Sequence, residues 1–290
     1  MGEKESHYEH VLRSAIADSA DSRCPPTLAA ALDYAVFPGG ARVRPKLCLA
    51  VAMANHCDAP VLAATAAASV ELLHCASLVH DDMPCFDNAA ERRGQPSVHA
   101  RFGESIALLT GDALIVSAFT ILARASLPAP ERIPELIRII GHGVGAPCGI
   151  AAGQAWESES VVDLSLYHQS KTGALFIAAT AAGAACAGVD VEPWQALGAK
   201  IGEAYQVADD IQDATSTPEE LGKPCGVDEA LARPSAVKEL GLEGAVNRLK
   251  ELVEEGVEAV PQCAGRHALQ EVVRGQAQRF LPKACEAAAA

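Results

Sequence analysis

Apolar positions along this chain recur with the three- and four-residue spacing of helix faces, and no convincing pair of strands alternates with a two-residue period. Helix-like stretches fall at about 8–18, 27–36, 43–55, 60–83, 103–126, 131–155, 161–170, 172–188, 192–213, 229–239, 243–259 and 265–280. The clearest breaks come at Pro25-Pro26, Pro38-Gly39-Gly40, Gly94-Gln95-Pro96, Pro128-Ala129-Pro130 and Gly222-Lys223-Pro224, where the residues themselves interrupt a helix. The longest uncharged run, GALFIAATAAGAACAGV at 173–189, is mainly Ala and Gly. It falls short of the roughly 20 strongly apolar residues that span a bilayer. The pattern predicts a close-packed core helix there and no transmembrane segment.

Composition sharpens this picture. The 290 residues are 50% hydrophobic but only 4% aromatic, which favours close helix packing over a β-sandwich. No repeat, low-complexity linker or abrupt change of composition divides the chain apart from an Ala-rich tail at 287–290, so one domain over 1–290 is expected. Basic residues number 23 and acidic ones 37, a formal charge of −14. That balance opposes non-specific binding to nucleic acid or to an anionic membrane surface. Any phosphate compound bound by such a chain is expected to arrive with metal ions. Ten cysteines, at 24, 48, 57, 75, 85, 148, 186, 225, 263 and 285, show no Cys-x-x-Cys pair or zinc-like spacing. They read as free thiols serving as small core residues, which suits a reducing cytoplasm. The first ten residues, MGEKESHYEH, carry no secretory apolar segment, so a cytoplasmic location is expected.

Candidate chemistry begins at LVHDDMPCFDNAAERRGQP, residues 78–96, where an apolar run ends in Asp81, Asp82 and Asp87 and is followed by Arg92 and Arg93. Clustered carboxylates repel one another unless a cation sits among them. The adjacent arginines imply that something anionic is held there too, and a divalent metal carrying a phosphate compound meets both needs. In a straight helix Asp81 and Asp87 would point about 120° apart. Pro84 removes a backbone donor and clashes with the carbonyl of His80, so the helix should end or bulge and let Asp87 fold back toward Asp81. Ser77 and His74, four and seven residues upstream, share the Asp81 face and should line any cavity below it.

A second cluster, QVADDIQD, places Gln206, Asp209, Asp210 and Asp213 at i, i+3, i+4 and i+7 of a helix. A solvated acidic surface is the alternative, but the preceding IGEAYQVA is mostly apolar, as in a core helix. Two facing groups of carboxylates without a cysteine or histidine set are hard oxygen ligands suited to Mg²⁺, which keeps waters and is shared with substrate phosphates. Cationic candidates are Arg42, Arg44, Arg92, Arg93, Lys171 and Lys223. A lone Lys or Arg is more often a solvated surface charge, yet each of these adjoins a Gly-rich turn or an apolar segment.

Taken together, GGARVRP (39–45), ELLHCASLVHDDMPCFDNAAERRGQPSVH (71–99), GD (111–112), GQA (153–155), KTG (171–173), YQVADDIQD (205–213) and GKPCGVD (222–228) resemble the polyprenyl diphosphate synthase family over nearly the whole chain. The likeness is greatest to geranylgeranyl diphosphate synthases of bacterial carotenoid pathways. It implies an all-α, isoprenoid-synthase-type bundle of antiparallel helices around a central cavity. It also implies a homodimer, and a head-to-tail condensation of isopentenyl diphosphate with dimethylallyl, geranyl or farnesyl diphosphate assisted by Mg²⁺, three ions per site. By position, Asp81, Asp82, Asp87, Asp209, Asp210 and Asp213 match the family's metal-binding aspartates. Arg92, Lys171, Thr172, Gln206 and Lys223 match its allylic diphosphate ligands, with Lys171 also catalytic, and Arg44, His74 and Arg93 match its isopentenyl diphosphate ligands.

Members that stop at C15 carry bulky aromatic residues one turn below the first carboxylates. Here Ala76 and Ser77 are small, so the chain-length floor should lie deeper and give a C20 product, with C15 as the alternative. Two departures stand out: Ala41 and Val227 occupy positions where the family carries lysine. A regulatory, non-catalytic subunit is therefore a rival expectation, although six aspartates and most cations remain. A terpene cyclase should show N-x-x-x-S-x-x-x-E in place of the second cluster, and a His80-Asp81 phosphohydrolase would need further histidine ligands; neither pattern is present.

Overall fold

A computed structural model of the chain describes residues 7–37, 39–124, 129–160, 164–215 and 235–278. Its helices are α1 (His7–Ser19), α2 (Pro26–Val36), α3 (Val43–Ala54), α4 (Pro60–Asp81), α5 (Val98–Phe102), α6 (Glu104–Arg124), α7 (Ile133–Val144), α8 (Ile150–Trp156), α9 (Leu164–His168), α10 (Ala174–Cys186), α11 (Glu192–Thr215), α12 (Ala236–Glu258) and α13 (Arg266–Gln278). A 3₁₀ turn at Pro130–Arg132 leads into α7, and one π-helical turn at Gln169–Gly173 joins α9 to α10. The expected all-α fold is what the chain adopts.

Two helices form the centre. Residues 62–73 of α4 are buried on every face, the pattern of a helix enclosed by others. Around it pack α1, α3, α6 and α10, while α10 also meets α7 and α11. Except for Ile177, all of α10 is buried, as its alanine-rich sequence predicts. Fully burying a side chain such as Phe176 contributes about 1.5–3 kcal/mol, and the many alanines let neighbouring backbones approach closely. One apolar cluster joins α1, α2, α4, α6, α7 and α10. A second joins α3, α10, α11, α12 and α13.

By length and composition, α4 and α6 would both suffice to cross a membrane. Most of the apolar stretch of α4 is buried in protein, whereas more than half of that of α6 is not. Leu108, Leu109 and Val116 of α6 are 47%, 50% and 65% exposed.

The structure corrects the sequence reading in several places. The single helix expected at 131–155 is broken into α7 and α8 at residues 145–149, where Gly145, Pro147 and Gly149 interrupt it and Ala146-Pro147 is cis. Segments 229–239 and 243–259 meet as one element, α12, kinked at Gly241, whose φ of 70° is a conformation only glycine adopts readily; residues 229–234 lie outside the described residues. A short antiparallel ladder, β1 (Glu91–Arg92) with β2 (Gln95–Pro96), was not expected. Its two-residue turn, Arg93 and Gly94, has φ of 56° and 72°, the mirror-image turn that suits a tight hairpin. Of the cysteines only Cys48, Cys75 and Cys186 are buried core residues; Cys85 is exposed and Cys24, Cys57, Cys148 and Cys263 are part-buried. Cys225 and Cys285 lie outside the described residues. All eight described thiols are free.

Candidate active site

The last turn of α4 delivers the first acidic cluster. Asp82 N still donates to Leu78 O at 3.1 Å, but Pro84 has no N–H with which to continue the ladder. The chain folds back on itself: Asp87 N donates to Asp81 O at 3.0 Å, Asn88 N to Met83 O at 3.0 Å and Ala89 N to Asp82 O at 3.1 Å. Asp87 is thereby returned to Asp81, and both carboxylates line one cavity.

Opposite them, α11 carries the second cluster. Gln206, Asp209 and Asp213 line the same cavity. Its volume is about 460 Å³, and its wall also takes in Arg44, Arg92, Lys171 and Thr172. Below the polar rim the wall becomes apolar, with Leu73, Ala76, Ile115, Val144 and Leu175, and the small Ser77 beside them. From Asp81 to Leu73 is eight residues of helix, about 12 Å at 1.5 Å per residue. His74 and Ser77 are on this wall as their spacing predicts.

Not every expected residue reaches it. Asp82, 2% exposed, turns to Arg92, whose Nε donates to its two oxygens at 3.0 and 3.2 Å and whose Nη2 also bonds it. Asp210, 3% exposed, turns to α12 and accepts from Ala236 N at 2.7 Å and Gln206 Nε2 at 2.9 Å. The expected common face of Gln206, Asp209, Asp210 and Asp213 therefore loses Asp210, because the first turn of α12 packs there and uses the carboxylate to satisfy its N–H. Arg93 is absent from the cavity wall. Its guanidinium donates to Gly39 O and lies over Gly40. Lys223 lies outside the described residues, as does Val227.

Lys171 and Thr172 occupy the π-helical turn, a local widening often found at functional sites. Gly153 of α8 lets that turn approach, since a Cβ there would collide with the Lys171 backbone. Thr172 Oγ1 donates to Gln206 Oε1 at 2.6 Å. Lys171 bonds Glu157 and sits 3.7 Å from Asp81 Oδ1, while Arg92 Nη2 is 3.8 Å from Asp81 Oδ2.

Arg44 is 8% exposed and stacks its guanidinium over Phe176 at 4.3 Å and Tyr205 at 5.3 Å. Its Nε is buried without a hydrogen-bond partner, and Nη1 is 3.5 Å from His74 Nε2. Burial, then the neighbouring Arg44, Arg93, Arg92 and Arg42, hold the His74 imidazole well below its ordinary range, so it is neutral. A cation enclosed at a cavity with an unused donor is a seat for an anion.

Burial pushes the Asp81 carboxyl above its ordinary range; Lys171 opposes this and Asp87 adds to it. Burial likewise raises Asp82, against its bond to Arg92. Asp81 Oδ1 is itself buried without a hydrogen-bond donor. An orphaned carboxylate oxygen among further carboxylates fits a hard divalent cation. Among the described residues no three His, Cys, Asp or Glu side chains converge closely enough to hold an ion by themselves, so oxygens of a bound anion would have to complete the shell. Residues that the sequence did not single out include Glu157, Tyr167 and the deep wall Ile115, Val144, Ile150 and Leu175, while Tyr205 lay within the noted YQVADDIQD motif. Gln154 lay within the noted GQA motif, but nothing in the local pattern tells which face of α6 or α7 meets a cavity.

An all-α bundle in which α4 and α11 end in acidic clusters bordering one greasy cavity is the isoprenoid-synthase architecture. The polyprenyl synthetase family matches residues 25–271, and the chain belongs to that family. It is 53% identical over 278 residues to a geranylgeranyl diphosphate synthase of Cereibacter sphaeroides, covering 96% of each chain, and 48% identical over 277 residues to one of Rhodobacter capsulatus, again covering 96% of each. Among solved structures, it is similar to a geranyltransferase of Helicobacter pylori complexed with magnesium and isoprenyl diphosphate, with a TM-score of 0.78, 31% identity and coverage of 96% of this chain and 100% of that one.

Proposed function

We propose that this chain is a Mg²⁺-dependent prenyltransferase that condenses isopentenyl diphosphate with an allylic diphosphate to give geranylgeranyl diphosphate. The observation that carries this is the shared cavity: Asp81 and Asp87 from α4 and its turn, and Asp209 and Asp213 from α11, border one shaft whose deep end is apolar. Its near relatives bear the name geranylgeranyl diphosphate synthase.

Asp81, Asp87, Asp209 and Asp213 would hold the metal, up to three ions with substrate bound, while Asp82 and Asp210 brace Arg92 and Gln206 behind them. When bound, Mg²⁺ supplies Lewis-acid neutralisation of charge on the diphosphate. Lys171, Arg92, Thr172 and Gln206 hold the allylic diphosphate, joined by Lys223. As the allylic C–O bond ionises, the cations stabilise the charge growing on the leaving oxygens. Arg44 and neutral His74, with Arg93 behind them, orient isopentenyl diphosphate so that its alkene meets the allylic cation. A proton then leaves the new chain, taken up by the released diphosphate. Leu73, Ile115, Val144 and Leu175 exclude water that would quench the cation.

Ala76 and Ser77 leave the shaft open one turn below Asp81, and the elongating chain passes them. Ala76→Tyr should shift the main product from C20 to C15, read by chain-length chromatography; unchanged C20 would refute the floor assignment. The exposed face of α6 fits a homodimer, and free thiols fit a cytoplasmic enzyme. Incubation with labelled isopentenyl diphosphate, farnesyl diphosphate and Mg²⁺ should yield a C20 diphosphate, and Asp81→Ala or Asp209→Ala should remove it. Hydrolysis alone, cyclised product or no turnover by the unaltered protein would contradict the reading.

A further inference from the structure

Glu157 belongs to neither acidic cluster and does not border the cavity, yet three side chains that do border it converge on its carboxylate. Tyr167 Oη donates to Oε1 at 2.7 Å, Lys171 Nζ donates to the same oxygen, and Gln154 Nε2 donates to Oε2 at 3.1 Å. The residue sits at the C-terminal end of α8, where a negative charge is disfavoured by the helix dipole. Stabilising that helix is therefore not what the carboxylate does best.

Its other neighbour is the candidate metal seat. Lys171 Nζ lies between Glu157 and Asp81 Oδ1, 3.7 Å from the latter, with the Tyr167 ring centroid 5.9 Å away. A lysine is a flexible point charge and settles on whichever anion is nearest. Without Glu157 the nearest is Asp81, whose oxygen is then occupied by an ammonium when it is needed by a divalent cation.

We propose that Glu157 is a positioning residue: braced by Gln154 and Tyr167, it holds the Lys171 ammonium at the cavity rim and away from Asp81, so that metal and diphosphate find both groups free. The inference rests on the reading above that Lys171 meets the diphosphate.

The test is calorimetric binding of inorganic pyrophosphate in the presence of Mg²⁺ to the unaltered protein, Glu157→Gln, Glu157→Asp, Tyr167→Phe and Lys171→Ala, with steady-state kinetics alongside. Glu157→Gln should weaken binding roughly tenfold, the scale of one charge-assisted hydrogen bond. It should raise KM for the allylic substrate more than it lowers kcat, and Glu157→Asp should recover most of the binding. Tyr167→Phe, which leaves the carboxylate in place, should weaken binding by about two- to threefold, and it decides the matter should Glu157→Gln fail to fold. Binding by Glu157→Gln or Tyr167→Phe equal to that of the unaltered protein, while Lys171→Ala loses it, would overturn the positioning role alone. Undiminished binding by Lys171→Ala would overturn both this role and the assignment of Lys171 as a diphosphate ligand.

Discussion

Asp81 illustrates how a single residue can be poorly placed for stability and well placed for chemistry. One of its oxygens is buried without a hydrogen-bond donor, burial raises its carboxyl, and Asp87 lies against it. A carboxyl raised in the folded state opposes folding at neutral pH. Asp81→Asn should therefore raise the melting temperature of the metal-free protein, by about 2–4 °C, while removing turnover and any stabilisation by Mg²⁺; calorimetry in chelator checks the first and metal titration the second. His74 has the opposite dependence. It is neutral when folded but titrates near 6.5 when free, so below that pH the unfolded chain binds more protons. Stability should fall as pH drops through 6.5, and His74→Gln should flatten denaturant midpoints between about pH 7 and 5. At this scale much was legible in the sequence: spacing placed Ser77 and His74 on the face of Asp81 and grouped Asp209 with Gln206 and Asp213, while it was the family resemblance that implied one cavity for the two clusters. What misled was Asp210: its helical position is adjacent to Asp209, but the first N–H of α12, distant in sequence, claims its carboxylate. Spacing along one helix carries no information about what packs on its far side.

Among the elements, the π-helical turn at Gln169–Gly173 matters most, because it presents Lys171 and Thr172 together. Its position depends on α8 through the bare Cα of Gly153. Gly153→Val should push the turn outward and lower kcat/KM at least tenfold, the loss expected from misplacing a catalytic group by about 1 Å, with helical content by circular dichroism unchanged; retention of full activity would mean the turn is free to move. Neither the turn nor the α7–α8 break was read from the sequence. Apolar periodicity runs on through 131–155, where Gly145, Pro147 and Gly149 themselves break the helix; the segments expected at 161–170 and 172–188 meet at Lys171, where Gly153 of α8 packs against the turn. The β1–β2 hairpin was missed for a related reason: Arg93 and Gly94 form its turn, yet four paired residues are too few to show alternation. By contrast, α4 and α10 were plain, because helices buried all round carry continuous small and apolar sequence.

At the scale of the whole molecule, α6 bridges interior and surface. Ile115 lines the cavity while Leu109 and Val116 face outward. An apolar face of this kind fits a protein interface. Under the homodimer reading, the double variant Leu109→Glu/Val116→Glu should halve the mass seen by sedimentation and, because Ile115 lies on the same helix, alter the product-length distribution; an unchanged mass would place the interface elsewhere. Under the proposed function, α4 and α11 converge on a metal-bound diphosphate. The most direct test of that convergence is a crystal structure grown with Mn²⁺ and an unreactive thio analogue of farnesyl diphosphate, read by anomalous scattering. Metal peaks are expected between Asp81, Asp87 and Asp209, with the diphosphate beside Lys171 and Arg92 and the tail pointing past Ala76 toward Leu73. Peaks confined to the outer surface, with the prenyl chain absent from the cavity, would contradict it.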